Sequence, residues 1–327
     1  MKKMFMAAGM AAVMTACGTA GQKAATDAGN PFLAEYSTPF GVPPFDLIKV
    51  EHYKEAFLKG MEEQKKEIDA IVNQRSVPDF DNTIAAFDQS GELLNKVSTV
   101  FSGLNSCNTN DEMQAFNKEI TPLLSAHRDD ISLNPVLFAR VKEVYECREK
   151  LGLDKEQNKL LEETYKKFVR GGANLDSVDQ AKLRQLNSEI SMLQLTFGQN
   201  LLKETNAFEL VIDKKEDLAG LPESLVASAA EAAKGAGMEE KWLFTLHNPS
   251  VMPFLQYADN RELREKIFKG YINRGNNGNE ADNNEIVKKL VALRLEKAKL
   301  MGYADYASYI LEDRMAKNEE NVYRLLN

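Results

Sequence analysis

Residues 177–206 read SVDQAKLRQLNSEISMLQLTFGQNLLKETN, from Ser177 to Asn206. Val178, Ala181, Leu186, Ile190, Leu193, Phe197 and Leu201 recur near the helical period, and no proline interrupts them. Ser177 followed by Gln180 has the form of a capping pair. Gly198 costs about 1 kcal/mol relative to Ala but need not break a helix. About thirty residues at ~1.5 Å each predict a rod roughly 40 Å long. A rod of that length sets the fold class as mostly α.

The flanking sequence continues the pattern. Upstream, Asp154 with Gln157 is a cap pair opening a helix that stops at Gly171-Gly172. Earlier helices are expected from Val50 to Asn73, over about 82–105, over about 111–130, and from Pro135 to Lys150. Residues 31–47 carry four prolines and four aromatic residues, so they predict a non-helical, extended strap packing aromatics onto the body. Downstream, Phe208–Ile212 and Trp242–Leu246 are short β-rich runs flanking a small helix, Pro222 to Lys234. They predict a small β insertion near 208–246. Helices then resume. Asp282 or Asn283 caps one that runs to Gly302, and another spans about 305–316. Asn318 caps a last one, with Glu319 and Glu320 in its first turn. Val322, Leu325 and Leu326 begin an apolar face just before Asn327. Nine residues fall below the roughly 12–15 needed for marginal autonomy. The reading is a sequence truncated inside a larger protein; the alternative is a short terminal helix docked on the body.

The chain of 327 residues is 43% hydrophobic and 28% charged, with a net charge of −8. That mixture excludes a disordered chain and a polytopic membrane protein, and no basic field is present to draw nucleic acid. The first seventeen residues read as an address. Lys2 and Lys3 precede an apolar stretch, Met4 to Ala16, too short for the ~20 residues of a span. Met14-Thr15-Ala16-Cys17 has the form of a lipobox, so Cys17 is the expected lipidation site and membrane anchor. A simple signal peptide with a chance Cys is the alternative. Residues 18–30 suit a flexible tether. The expected location is a bacterial cell envelope, as an exported lipoprotein facing the periplasm or on the outer membrane. Export would let Cys107 and Cys147 pair, but their helix-like contexts favour two buried free thiols.

Several stretches together resemble one family. Leu293-Arg294-Leu295-Glu296-Lys297-Ala298-Lys299-Leu300-Met301-Gly302-Tyr303, followed by Tyr306-Ala307, Tyr309 and Met315-Ala316, resembles the thimet oligopeptidase, oligopeptidase A and peptidyl-dipeptidase family of zinc metallopeptidases. Val50-Glu51-His52-Tyr53, Phe168-Val169-Arg170-Gly171-Gly172-Ala173, Asp217 to Pro222 and Asn260 to Glu265 are similar to further segments of that family. The likeness covers about 31–327 and is nearest to bacterial peptidyl-dipeptidases. It implies a neurolysin-like wall of long helices beside a channel that admits short unstructured peptides. It implies a division into 31–240, an N-terminal helical domain, and 241–327, the start of the catalytic domain. It also implies Zn²⁺ held by H-E-x-x-H and a further Glu, with the first Glu activating a water. This sequence has no such motif. His52, His127 and His247 are far apart, so no catalytic or metal residue can be assigned here, and zinc, as well as the catalytic half, belongs to a C-terminal partner segment.

Other residues read as structural. His52 suits a core or interface position, and His247 a strand end where it bonds backbone or lines a channel. Glu62-Glu63, Glu162-Glu163 and Glu319-Glu320 are solvated charges. Tyr303, Tyr306 and Tyr309 suit core packing more than peptide binding. The loop from Arg274 to Asn279 contains Gly275 and Gly278 but no nucleotide fingerprint, so no nucleotide partner is expected. The functional expectation is the N-terminal part of a zinc peptidase of peptidyl-dipeptidase or oligopeptidase type. The alternative is a non-enzymatic, helical, peptide-binding envelope lipoprotein.

Overall fold

The structure, a computed structural model, describes residues 29–327. The signal segment 1–17, Cys17 and most of the tether lie outside the described residues. The described chain is mostly helical, as its periodicity predicts. It runs α1 (Val50–Val72), α2 (Ala86–Gln89), α3 (Glu92–Cys107), α4 (Asp111–Ser132), α5 (Pro135–Cys147), α6 (Lys155–Arg170) and α7 (Ser177–Ala207). A two-stranded sheet follows, β1 (Leu210–Ile212) paired antiparallel with β2 (Trp242–Phe244), with α8 (Glu223–Gly235) between the strands. The register sets Leu210 opposite Phe244 and Ile212 opposite Trp242. The chain ends with α9 (Asn248–Tyr257), α10 (Arg261–Ile272), α11 (Asn284–Leu300), α12 (Tyr306–Leu311) and α13 (Glu319–Leu326). Among the described residues no helix is long and apolar enough to cross a membrane.

Three apolar clusters hold the body together. Phe32, Tyr53, Phe57, Phe101 and Phe116 centre one between α1, α3 and α4, with Tyr53 and Phe101 rings edge-on at 5.0 Å. Ile68, Ile84, Leu137, Val141, Leu161 and Phe168 fill the second, where α5 and α6 meet the end of α1. The third joins the sheet to α8, α9 and α10 through Leu210, Phe244, Leu246, Phe254 and Ile267. The expected division at 240/241 falls between the two paired strands. Helix α7 lies along α4 on one side and α11 on another. Asn187 on α7 donates to Asp129 on α4 at 2.8 Å, and Lys297 on α11 donates to Asn187 at 2.6 Å. Burial pushes the Lys297 ammonium below its ordinary pKa and the Asp129 carboxyl above its own.

Several elements differ from the sequence expectation. The expected helix over 82–105 is broken. A π-helical turn (Phe80–Ala85) and α2 end at Ser90, and Gly91, at φ +80°, restarts the chain as α3. Glu67 of α1 accepts the Gly91 amide at 2.7 Å, so a tertiary contact makes the break. The cap of α7 is Asp176, not Ser177: its carboxylate accepts the amides of Val178 and Asp179. Val178, counted on the apolar stripe, is exposed. The strap packs Phe32 into the core but leaves Phe40 and Phe45 exposed, and it forms two one-turn 3-10 helices, Pro31–Leu33 and Pro39–Gly41. The helix expected over 305–316 closes after Leu311. Cys107 and Cys147 are free but exposed, not buried. Each sits in the last turn of its helix, beyond the last buried residue, Phe101 or Val144. The cap pair Asp154–Gln157 forms reciprocally, at 2.8 and 3.0 Å.

Helices α1 and α3 cross closely at Gly60. A Cβ at Gly60 would lie 2.9 Å from the backbone of Leu94. Gly60→Ala should therefore destabilise by about 2 kcal/mol, despite a helix-propensity gain of about 1 kcal/mol. Chemical denaturation checks this; an increase in stability would show that the crossing is loose.

Candidate functional site

The last three turns of α7 carry few large apolar residues and many polar ones: Gln199, Asn200, Lys203, Glu204, Thr205 and Asn206. Clefts open on both sides of this stretch. One, of about 590 Å³, lies against α10 and the loop before α11, over Ala207, Phe208, Leu246 and Gly270. The other, of about 580 Å³, lies against α4 and is edged by Gln114, Lys118 and Gln199. Lys203 and Ala207 line both, so the two form one groove crossing α7.

Glu204 shapes the α10 side. It is 9% exposed, and its carboxylate accepts the Gly275 amide at 2.6 Å and the side-chain amides of Asn277 at 2.7 Å and Asn279 at 2.6 Å. Burial alone would raise the carboxyl, but these donors outweigh it and hold the group below its ordinary pKa. Gly275 must be glycine: φ is +73°, and a Cβ would lie 2.7 Å from the Asn283 amide. Arg274 adds a bond to Thr205 at 2.9 Å and lies over the Tyr271 ring. Asn283, buried before α11, takes the Asn200 side chain at 2.9 Å and reaches the Phe197 carbonyl at 3.2 Å. The loop read from sequence as glycines without a fingerprint is thus folded around one carboxylate. Gly270 lets α10 approach closely; a Cβ there would meet the Phe208 ring at 2.4 Å.

Amides organise the α4 side. Gln199 donates to the backbone and side-chain oxygens of Gln114, both at 3.0 Å. Gln114 donates in turn to Thr109 at 2.6 Å and Asn105 at 3.1 Å. A floor of small apolar surface edged by carboxamides can meet both the N–H and the C=O groups of an extended peptide backbone, since each carboxamide donates and accepts.

The three histidines are not brought together. His52 is half-buried at the start of α1, where its Nδ1 accepts the Lys49 amide at 3.0 Å. His127 on α4 pairs with Gln64 at 2.7 Å, and burial lowers its pKa. His247 is exposed beside the groove and bonds side chains rather than backbone: Thr245 at 3.0 Å and Asn206 at 3.1 Å. Tyr309 packs as expected. It is buried, donates to the Arg170 carbonyl at 2.9 Å, and lies under the Arg170 guanidinium, which also pairs with Glu312. Among the described residues no three His, Cys, Asp or Glu side chains are grouped to hold a metal ion. The residues present therefore do not fit a zinc site.

Comparison with known proteins comes to one family. Residues 254–327 match Peptidase family M3. The chain is 40% identical over 291 residues to dipeptidyl carboxypeptidase of Escherichia coli (strain K12), covering 89% of this chain and 43% of that protein. It is 29% identical over 293 residues to oligopeptidase A of Haemophilus influenzae, covering 88% and 42%. It is 24% identical over 254 residues to saccharolysin of Saccharomyces cerevisiae, covering 76% and 34%. The chain spans less than half the length of these relatives.

Glu204→Gln should cost about 2 kcal/mol, because a carboxamide offers the three donors a single uncharged acceptor. The sign of the pH effect follows from the lowered pKa. The wild-type contribution is complete above the unfolded carboxyl value of about 4.3 and is lost as pH falls below it. Melting curves from pH 7 to 3 should show the gap between wild type and variant closing with acid; a constant gap would contradict the charge role.

Proposed function

We infer, from the match of residues 254–327 to Peptidase family M3 and the likeness to dipeptidyl carboxypeptidase, that this chain is part of a peptidase acting on short peptides, and that it forms a wall of the substrate channel. The observation that supports this is the groove across α7, with an apolar floor and carboxamide edges suited to an extended backbone. The resemblance to dipeptidyl carboxypeptidase favours release of dipeptides from peptide C-termini. In this reading the protein uses zinc, and the metal ligands and the general base lie outside the described residues. The metal, when bound, supplies the Lewis acid and the activated water. The residues described here orient the peptide. Gln114 and Gln199 are tied to each other and present a fixed edge. Lys203, paired with Glu280 at 3.1 Å, and Asn206, steadied by His247, border the groove. Glu204 holds the loop that narrows the groove and so limits the thickness of what can enter. We further place residues 31–240 in an N-terminal helical domain and 241–327 at the start of the catalytic domain. Cys17 serves as a lipid anchor that keeps the enzyme in the cell envelope.

Two measurements test this. The 327-residue chain, dialysed against zinc, should retain less than about 0.1 equivalent and release no dipeptide from a blocked hexapeptide, whereas the full-length protein should do so in a chelator-sensitive way. Chelator-sensitive cleavage by the 327-residue chain would overturn the assignment of the metal site. In the full-length protein, Asn206→Trp should raise KM about tenfold, worth ~1.4 kcal/mol, with kcat changed far less. An unchanged KM would remove the groove from the substrate path.

A further inference from the structure

A separate cleft of about 560 Å³ opens between α1, α3, α4 and α6, sharing no residue with the groove across α7. Its floor is apolar, with Phe87, Leu94, Leu124, Ile131 and Phe168. One polar pair crosses it, His127 and Gln64, bonded to each other at 2.7 Å. Gln64 can lie there because Gly91 has no side chain; a Cβ at that position would come within 2.4 Å of its amide. The pair is thus satisfied and fixed, and burial lowers the His127 pKa, which disfavours a charged imidazolium in that wall.

The mouth has the opposite character. Arg128 and Lys167 both border the cleft and both are exposed. Among the described residues neither takes part in an ion pair. The acids Asp129, Asp130 and Glu163 on α4 and α6 have other bonded partners, Asn187, Arg184, and Lys159 with Lys166, although the Arg128 charge also acts on the Asp129 carboxyl. In a chain of net charge −8, two free cations at the rim of one apolar cleft are a local reversal of the average. The volume lies within the roughly 300–1,000 Å³ typical of small-ligand sites.

We propose that this cleft binds a small amphiphile, an unbranched apolar chain ending in a carboxylate. The chain would lie on the floor between Phe87, Leu94 and Phe168, and the carboxylate would sit between Arg128 and Lys167. An alcohol of equal length gains the floor but not the rim, and an alkylammonium is repelled at the rim. The proposal concerns a site apart from the peptide groove and stands whether or not the chain belongs to a peptidase.

Titration calorimetry of the 327-residue chain with sodium decanoate, decanol and decyltrimethylammonium tests it. Decanoate should bind one to one, at least about tenfold more tightly than decanol, with no saturable binding of the ammonium. The double substitution Arg128→Gln/Lys167→Gln changes only exposed side chains and should weaken decanoate at least about tenfold while leaving decanol unchanged. Ser98→Trp, which fills the cleft from α3, should abolish both. Equal affinity for decanoate and decanol, decanoate binding unaltered in the double variant, or no saturable binding of decanoate would each overturn the proposal.

Discussion

The Glu204 carboxylate accepts three N–H groups from a single loop, and that contact decides where the chain after α10 lies against α7. A 31-residue helix has ample surface for neighbours, yet α7 is apolar enough to bury large side chains only along its first half, at Leu183, Leu186 and Ile190. Beyond Ile190 the buried residues it supplies are Glu204 and Thr205. A buried carboxylate is costly unless its oxygens are met by donors. Here Gly275, Asn277 and Asn279 meet them. The same requirement that keeps Glu204 ionised therefore fixes the loop, orients the entry to α11 and sets one side of the groove.

The groove follows from that arrangement. With the loop pinned, Gly270 can bring α10 against Phe208, and Asn283 can reach across to Asn200 and the Phe197 carbonyl. The opposite side depends on a different chain of amides, from Asn105 through Gln114 to Gln199. The α4 side is built mainly from carboxamides, whereas the α10 side combines the Glu204 carboxylate with Lys203, Lys269, Arg274 and Glu280 around a small apolar floor.

The helices were legible in the sequence wherever a side chain or a breaker punctuates them locally. Asp154–Gln157, Pro135 and Gly171-Gly172 mark ends that the structure keeps, and the β-rich runs near 210 and 242 do pair. What escaped notice is set by partners distant in sequence. Gly91 breaks a periodic run because Glu67 takes its amide from another helix. Asp176, one residue before the expected cap, is nearer the amides it serves. Cys107 and Cys147 look buried from their helical context, but each lies past the apolar part of its helix. Glu204 was invisible for a related reason. Apolar periodicity cannot register a buried acid, and the only hint was an Asn- and Gly-rich loop some seventy residues later that had no evident ligand of its own. The groove carries no sequence motif that would announce it.

Amide hydrogen exchange read residue by residue in Glu204→Ala tests most directly whether one carboxylate organises this region. If it does, amides from Asn273 to Asn283 should exchange at least about a hundredfold faster than in the wild type, while those of Leu183 to Leu193 keep their protection. If the loop keeps its wild-type protection without the carboxylate, Glu204 is a passenger and the groove has another foundation.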